Sequence, residues 1–353
     1  MAVSAEHNSS SFSSSADEQS AVTVTDVARE AGVSVSTVSR IVNGTARVAD
    51  DKRQAVEAAI ARMNFRPNLH ARSLKMGRSM TIGMLAQDIE SPFFTRVIRG
   101  IEEGLKGSGY APIIVSGHWN QAEEIDRVGV LMARRIDGLV ILNGALSDEQ
   151  ILEISRRLPV VATGRRLEGR NLKTLRLDNE QGGHLAVSHL LSLGHRRIAH
   201  ISGPSSHEDA VERYAGFVRA HKDYGLEVDP ELVFQGDFLE NGGVLAMNRL
   251  LDCGKNFTAV FAANDQSAMG ARLVLHRRGI RVPEDVSLMG FDDIPATEYL
   301  TPPLTTVRQP FYEIGLYLSH TLLGMLGRDV SDIAIPDMAL VIRETVKRSF
   351  QPC

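Results

Sequence analysis

From Met80 onward, short apolar runs rich in Ile, Val and Leu alternate with amphipathic stretches of roughly 12 to 18 residues, a rhythm that few architectures accommodate. The runs are TIGMLA, PIIVSG, GLVIL, PVVAT, RIAHISG, TAVFAAN and DVSLMG. They are apolar without polar alternation, as strands are when a parallel sheet is covered on both faces. The rhythm occurs twice, over about 80–164 and about 196–292, with TLRLDN and LTTVRQP as candidate crossings between the halves. The expectation is an α/β core of two doubly wound parallel-sheet lobes with a cleft between them. A chain of 353 residues that is 43% hydrophobic is too long for one ordinary domain and has material for such a core plus a small extra module.

That module is read from Thr23 to Asn43, TVTDVAREAGVSVSTVSRIVN. Thr23 and Asp26 have capping-box spacing, so a helix is predicted from Val24, with Val24, Val27, Ala28 and Ala31 forming one apolar stripe that ends at Gly32. Ser34 can cap a second helix. Val38, Ile41 and Val42 would face inward there, leaving Ser36, Ser39, Arg40 and Asn43 on the opposite face, with Val35 at its edge. Two short helices joined by a Gly-containing turn outline an all-α helix-turn-helix. In a major groove Arg40 can fork onto guanine, Ser36 can donate or accept, and Val35 can meet a thymine methyl. Thr37, Ser39 and Asn43 suit phosphate oxygens. The plain alternative is a helical hairpin with a solvated polar face.

A third helix is expected from Asp50 or Asp51, with Val56, Ala59, Ile60 and Met63 closing a three-helix core. Pro67 breaks it, and Asn68 can cap a short run, LHARSLKM, that ends at Gly77. That run is below the roughly 12–15 residues a marginally stable isolated helix needs, so it suits folding on binding. Residues 21–78 carry ten Lys and Arg against five Asp and Glu, whereas the whole chain has a net charge of −4; the positive charge sits where DNA would lie. Residues 1–20 are Ser-rich without an apolar core and read as a disordered tail rather than a signal peptide. Two Cys residues and no long apolar run speak for a reducing cytoplasm, without disulfides or membrane contact.

In open α/β sheets ligands sit beyond the carboxyl ends of the strands. Those ends carry Gln87, Asp88, Phe93 and Phe94 after TIGMLA, Asp178 after TLRL, Asn264 and Asp265 after TAVFAA, and Phe291, Asp292 and Asp293 after DVSLMG. Carboxylates and amides can bind vicinal hydroxyls while a ring covers the apolar face of a sugar. The competing reading is local: Asp after a strand often caps the next helix, and Phe93 or Phe94 belongs to the core. Trp119, the one Trp, is weighed as a stacking platform and set below a structural or lobe-edge place; His195 and His200 look structural; Arg165 and Arg166 are read equally as anion contacts or a solvated pair. No GxGxxG, GxxxxGK[ST], HExxH or GxSxG occurs, so no enzymatic signature is present and no cofactor is expected.

DVAREAGVSVSTVSRIVNG and RPNLHARSLKMGRSMTIGMLAQDIESPFF, followed by LGHRRIAHISG, RYAGF, FAANDQSAMGA, VPEDVSLMGFDD and PPLTTVRQP, resemble bacterial transcription regulators of the LacI/GalR type over nearly everything from Thr23 onward. The resemblance implies a headpiece over 21–66, a hinge helix over 67–78, and a periplasmic-binding-protein-like effector and dimerisation core over 79–353. It implies a homodimer on double-stranded operator DNA, acting as a repressor whose affinity a small effector, a sugar, modulates. Arg213 would clamp the effector, with Asp178 orienting it and Phe238 stacking; Asp88, Phe93, Asn264 and Asp292 complete the set. Leu74, with Ala71 beside it, would wedge the central base step. One departure is Ala49, where such regulators carry a Ser or Thr cap.

Overall fold

The computed structural model describes residues 22–43, 48–65 and 77–349. The expected tail over 1–20, and Ala71 and Leu74 of the expected hinge helix, lie outside the described residues. The chain separates into two compact units, Met1–Ser79 and Met80–Cys353.

In the first unit α1 spans Val24–Glu30, α2 Val35–Asn43 and α3 Asp50–Arg62. The capping box forms as its spacing requires: the Asp26 amide donates to Thr23 Oγ1 (3.3 Å) and the Thr23 amide to Asp26 Oδ2 (3.0 Å). Gly32 takes φ +64°, which an L side chain would resist, and turns the chain into α2. Ser34 caps α2 by accepting the Thr37 amide at 3.2 Å. Val27, Val38, Val56 and Ala59 are fully buried and join the three helices. Ala49 offers no side-chain cap to α3, but Asp50 and Asp51 place two carboxylates in its first turn, where the helix dipole favours them.

In the second unit, the first lobe runs β1 (Thr81–Ala86), α4 (Pro92–Leu105), β2 (Ala111–Ser116), α5 (Gln121–Ala133), β3 (Gly138–Ile141), α6 (Asp148–Ser155), β4 (Val160–Thr163) and β5 (Leu172–Leu175). All five strands are parallel, in the order β2-β1-β3-β4-β5. The second lobe runs α7 (Asn179–Ser192), β6 (Ile198–Ser202), α8 (Glu208–Asp223), β7 (Val233–Gln235), α9 (Glu240–Asp252), β8 (Ala259–Ala262), α10 (Asp265–Arg277) and β9 (Ser287–Met289), with parallel order β7-β6-β8-β9. Each sheet has a separate apolar cluster on either face, as the non-alternating runs require. This is the doubly wound, two-lobed core.

The chain crosses between lobes three times. TLRLDN and LTTVRQP both serve as crossings: the first leads into α7, and the second carries β10 (Thr306–Arg308) into α11 (Phe311–Met325), whose Phe311, Ile314 and Leu318 pack in the first lobe. A third crossing, over 326–338, returns to β11 (Ala339–Val341), which pairs antiparallel with β10. The three-residue strands β7 and β11 carry too little pattern to be read from sequence.

The helix pair α4 and α11 meets at Gly100 and Gly315, where a Cβ on Gly100 would strike the Tyr312 carbonyl oxygen and the Gly315 Cα. Backbone cannot yield as a flexible side chain does. Gly100→Ala is expected to cost about 2 kcal/mol, within the range for overpacking a core, and a lowered urea midpoint with an unchanged m-value checks it.

Candidate functional site

The carboxyl ends of the strands in both lobes open onto one cleft, which holds a cavity of about 420 Å³. From the first lobe it is lined by Gln87, Asp88, Phe93 and Trp119; from the second by His207, Arg213, Phe238, Asn264 and Asp292 among others. Six of the seven residues expected at an effector site thus meet here: Asp88, Phe93, Arg213, Phe238, Asn264 and Asp292. Asp178 does not line the cavity. Its carboxylate is exposed and caps α7 by accepting the Gln181 amide at 2.8 Å. The orienting part falls to its neighbour Asn179, whose Oδ1 accepts from Arg213 Nε at 2.9 Å. One step along the chain turns the side chain from solvent into the lobe, and the buried position takes the neutral amide.

Arg213 stands on α8 and is 5% exposed. Besides Asn179 it donates from Nη1 to the Ala263 carbonyl at 2.6 Å, faces Asp292 Oδ1 at 3.6 Å, and lies 4.0 Å above the Phe291 ring. Phe291 is therefore the platform under the arginine, and a fully buried one. A guanidinium held at Nε and Nη1 keeps further N–H groups for a ligand oxygen.

Asp292 has φ +117°, a region L residues rarely adopt, and its backbone amide donates to Val307 at 2.8 Å. Its carboxylate accepts from Gln309 Nε2 at 2.7 Å. Burial pushes its pKa up to about 6, against the opposing pull of Arg213 and of the Gln309 hydrogen bond. Behind it, Asp265 is buried without exposure and accepts from Thr306 Oγ1 (2.6 Å) and the Ile294 amide (2.9 Å); burial and the Asp292 charge hold it well above the usual carboxylate range. Asp293 points away from the cavity. Burial opposes its ionisation, but bonds from Arg308 and Arg343, both 2.7 Å, outweigh that and lower its pKa.

Asn264 works largely for the fold. It caps α10 through the Ser267 amide (2.9 Å) and donates to the Phe238 carbonyl (2.7 Å), holding that ring's loop at φ +67°. Phe93 is half-buried at the cavity wall, edge-on to Phe94 and Phe311, whereas Phe94 is core. Asp88 accepts the Glu90 amide at 2.9 Å in a local turn and still lines the cavity.

The sequence reading set Trp119 below the other candidates and did not single out His207 and Asp209, all of which stand on the wall. Trp119 stacks on His207 across the cleft with ring centres 4.2 Å apart. It is held at φ +56° by the buried Gln87, whose Oε1 accepts the Trp119 amide at 2.9 Å. Asp209 accepts from Asn143 of the first lobe (3.3 Å) and from Asn179 (3.0 Å). His207 and Asp209 lie at the start of α8, four residues or more ahead of Arg213, and no strand end pointed to them. Among the described residues no group of three His, Cys, Asp or Glu is placed to hold a metal.

In the first unit, Val35, Ser36 and Arg40 are exposed along α2, while Thr37 and Ser39 are half-buried beside them. Ser34 Oγ lies 2.9 Å from Ser36 Oγ and 2.8 Å from Thr37 Oγ1, so the first turn of α2 carries a linked set of hydroxyls. The helix backbone reaches Asn43.

Residues 23–68 match the family described as bacterial regulatory proteins, lacI family, and residues 79–344 match periplasmic binding proteins and sugar binding domain of LacI family. The chain belongs to the LacI family. As a LacI-family member it is a transcriptional regulator with a helix-turn-helix headpiece and a ligand-binding core. It is 36% identical over 307 residues to the HTH-type transcriptional repressor PurR of Photorhabdus laumondii, covering 86% of this chain and 90% of that one. It is also 36% identical over 334 residues to the repressor CytR of Escherichia coli, covering 94% and 98%. A crystal structure of the lac repressor dimer bound to operator and the anti-inducer ONPF superposes with a TM-score of 0.80 at 29% identity, covering 93% of this chain and 99% of that one.

Proposed function

We propose that this LacI-family regulator is a repressor, binds its operator as a homodimer in the cytoplasm, and releases or tightens its hold when a neutral, hydroxyl-rich molecule, a sugar, enters the cleft. The observation that carries the ligand class is the pairing of Arg213 and Asp292 beside Phe238 in a cavity of about 420 Å³. A cation and a carboxylate at one point serve the donor and acceptor halves of vicinal hydroxyls, and a ring covers the apolar sugar face. The repressor relatives and the match to the family's regulatory headpiece support a chain that works by binding.

On the DNA side, Arg40, Val35 and Ser36 read base edges while Thr37 and Ser39 contact phosphates, a division that rests on exposure along α2 and on side-chain chemistry, with Asn43 joined to the phosphate set on its chemistry alone. Leu74 and Ala71 act in the minor groove as a wedge; that part is carried by the family resemblance. Arg40→Ala is expected to weaken operator binding about 10- to 100-fold, the worth of one bidentate guanine contact, and to relax specificity at one base pair. Selection from random duplexes at two salt concentrations, with and without a panel of sugars, checks both sites together. Enrichment of a palindrome whose affinity one sugar shifts supports the reading, and failure to select any DNA would sink it.

A further inference from the structure

The end of the first lobe opposite the cleft is built from the turns that lead into its strands. The sheet is parallel and its strands start side by side, with Thr81 beside Ala111, Ile82 beside Gly138 and Leu139 beside Val160. The turns entering β2, β3 and β4 therefore share one end with Met80, where the chain enters the core. Two of them repeat one pattern. Arg134-Arg135-Ile136 follows α5 and Arg156-Arg157-Leu158 follows α6; in each the third residue is buried and both arginines are exposed. The apolar residue anchors the turn and leaves the guanidinium groups in water.

Three of these cations have no partner. Arg157 pairs with Glu153 of its own helix at 2.8 Å, and Lys106, in the turn entering β2, with Glu103 at 2.7 Å. The side chains of Arg134, Arg135 and Arg156 make no hydrogen bond or ion pair among the described residues. The one acid in the three turns, Asp137, is taken up by the Met80 amide at 2.8 Å. The corresponding turns of the second lobe differ. There Arg196 donates to the Leu191 carbonyl, and Arg197, Lys255, Arg278 and Arg281 pair with Asp229, Glu231, Asp252 and Asp285.

Arg135 also stands where a side chain is costly. Six of the eight α-helices of the core are followed by a glycine at positive φ, and after α5 that place is held by Arg135 at φ +56°. Arg134 and Arg156 are C-caps, where the dipole at a helix carboxyl end attracts a cation whatever else it does. That account does not reach Arg135, which lies beyond the helix and whose backbone a glycine would relieve. A strained position kept for a charged side chain points to a task for that side chain.

We infer that this end of the first lobe is a second, sequence-independent DNA contact, in which Arg134, Arg135 and Arg156 hold backbone phosphates. Exposed guanidinium groups without partners, in turns whose one acid is engaged, suit phosphate oxygens and read no base. Duplex DNA is favoured over an acidic protein because the chain reaches this end directly from the unit that carries the helix-turn-helix, so DNA bound there is at high effective concentration for the core. The contact adds to that of α2 and does not replace it.

The test measures binding of the full-length protein to a random-sequence duplex of about 40 base pairs and to a selected operator, each across a salt series. The variant joins Arg134→Gln, Arg135→Asn and Arg156→Gln, asparagine being chosen because it tolerates a left-handed backbone. Each phosphate neutralised adds about 0.9 to the slope of log affinity on log salt, so the slope should fall in magnitude by about 2 to 3 and binding of the random duplex should weaken about tenfold at about 0.1 M salt. Base preference at the operator should stay as in the parent. Lys222→Gln with Arg249→Gln and Arg348→Gln removes the same charge from exposed positions of the second lobe and should shift the slope by less than about 1. If the triple variant melts below the parent, the pair Arg134→Gln and Arg156→Gln carries the test with a proportionally smaller shift. A slope no different from that of the second-lobe variant overturns the contact and leaves this end to an acidic protein. Altered base preference overturns it as well, because the arginines would then act through α2.

Discussion

Arg213→Ala is expected to abolish the response to a cleft ligand while operator binding without ligand persists. The side chain is 5% exposed and joins four groups: Asn179 Oδ1 at 2.9 Å, the Ala263 carbonyl at 2.6 Å, Asp292 at 3.6 Å and the face of Phe291 at 4.0 Å. Removing it leaves Asp292 without its cation and the Asn179 and Ala263 oxygens without a donor. Breaking one partner of a buried pair costs about 3–5 kcal/mol, part of which Asp292 recovers by taking up a proton. A ligand loses charged hydrogen bonds worth roughly 1.5–3 kcal/mol each, so affinity should fall by two orders of magnitude or more. Calorimetric titration with the ligand found by selection, together with operator binding in its absence, separates the effects. An undiminished ligand response would remove Arg213 from the site, and loss of DNA binding without ligand would show that the substitution damaged the fold.

The second large effect concerns Asp292 and pH. Its ordinary pKa is 3.8 and burial raises it to about 6, so between those values the folded protein holds a proton that the unfolded chain has released. The stability this contributes is fully present below about pH 4 and is lost as pH rises through 6, amounting to on the order of 3 kcal/mol. Asp292→Asn keeps an oxygen for Gln309 Nε2 and cannot ionise. The variant should lose that part of the pH dependence and bind ligand poorly. Urea midpoints at pH 4.5 and 7.5 for both proteins decide it. Parallel curves would mean that Asp292 titrates as an ordinary carboxylate. Holding an ionised carboxylate at neutral pH against this cost is what a site for hydroxyl donors requires, and the strained backbone of the same residue, φ +117°, points the same way.

Local features were legible because their causes are local. Thr23 and Asp26 bond within one turn, and Ser34 caps α2 three residues before the amide it accepts. The apolar runs announced buried parallel strands, since a strand covered on both faces cannot alternate. Strand ends placed Asp88, Asn264 and Asp292 at the cleft, and the family resemblance added Arg213 and Phe238, which composition and spacing had not singled out.

Other features depend on residues far apart in the chain. Asp178 and Asn179 are adjacent, and only the direction in which α7 leaves the crossing segment decides that Asn179 meets Arg213 while Asp178 faces water. Trp119 and His207 are 88 positions apart, and neither has a local pattern that foretells their stacking at 4.2 Å. β11 is three residues long and exists because the 326–338 crossing brings it alongside β10. By itself the sequence determined the longer helices and strands, the two lobes and the helix-turn-helix, because hydrogen bonding along a helix and hydrophobic period along a strand act over a few residues. Only the tertiary structure decided which side chains share the cleft and which carboxylate burial raises, because those depend on how loops from two lobes converge in space.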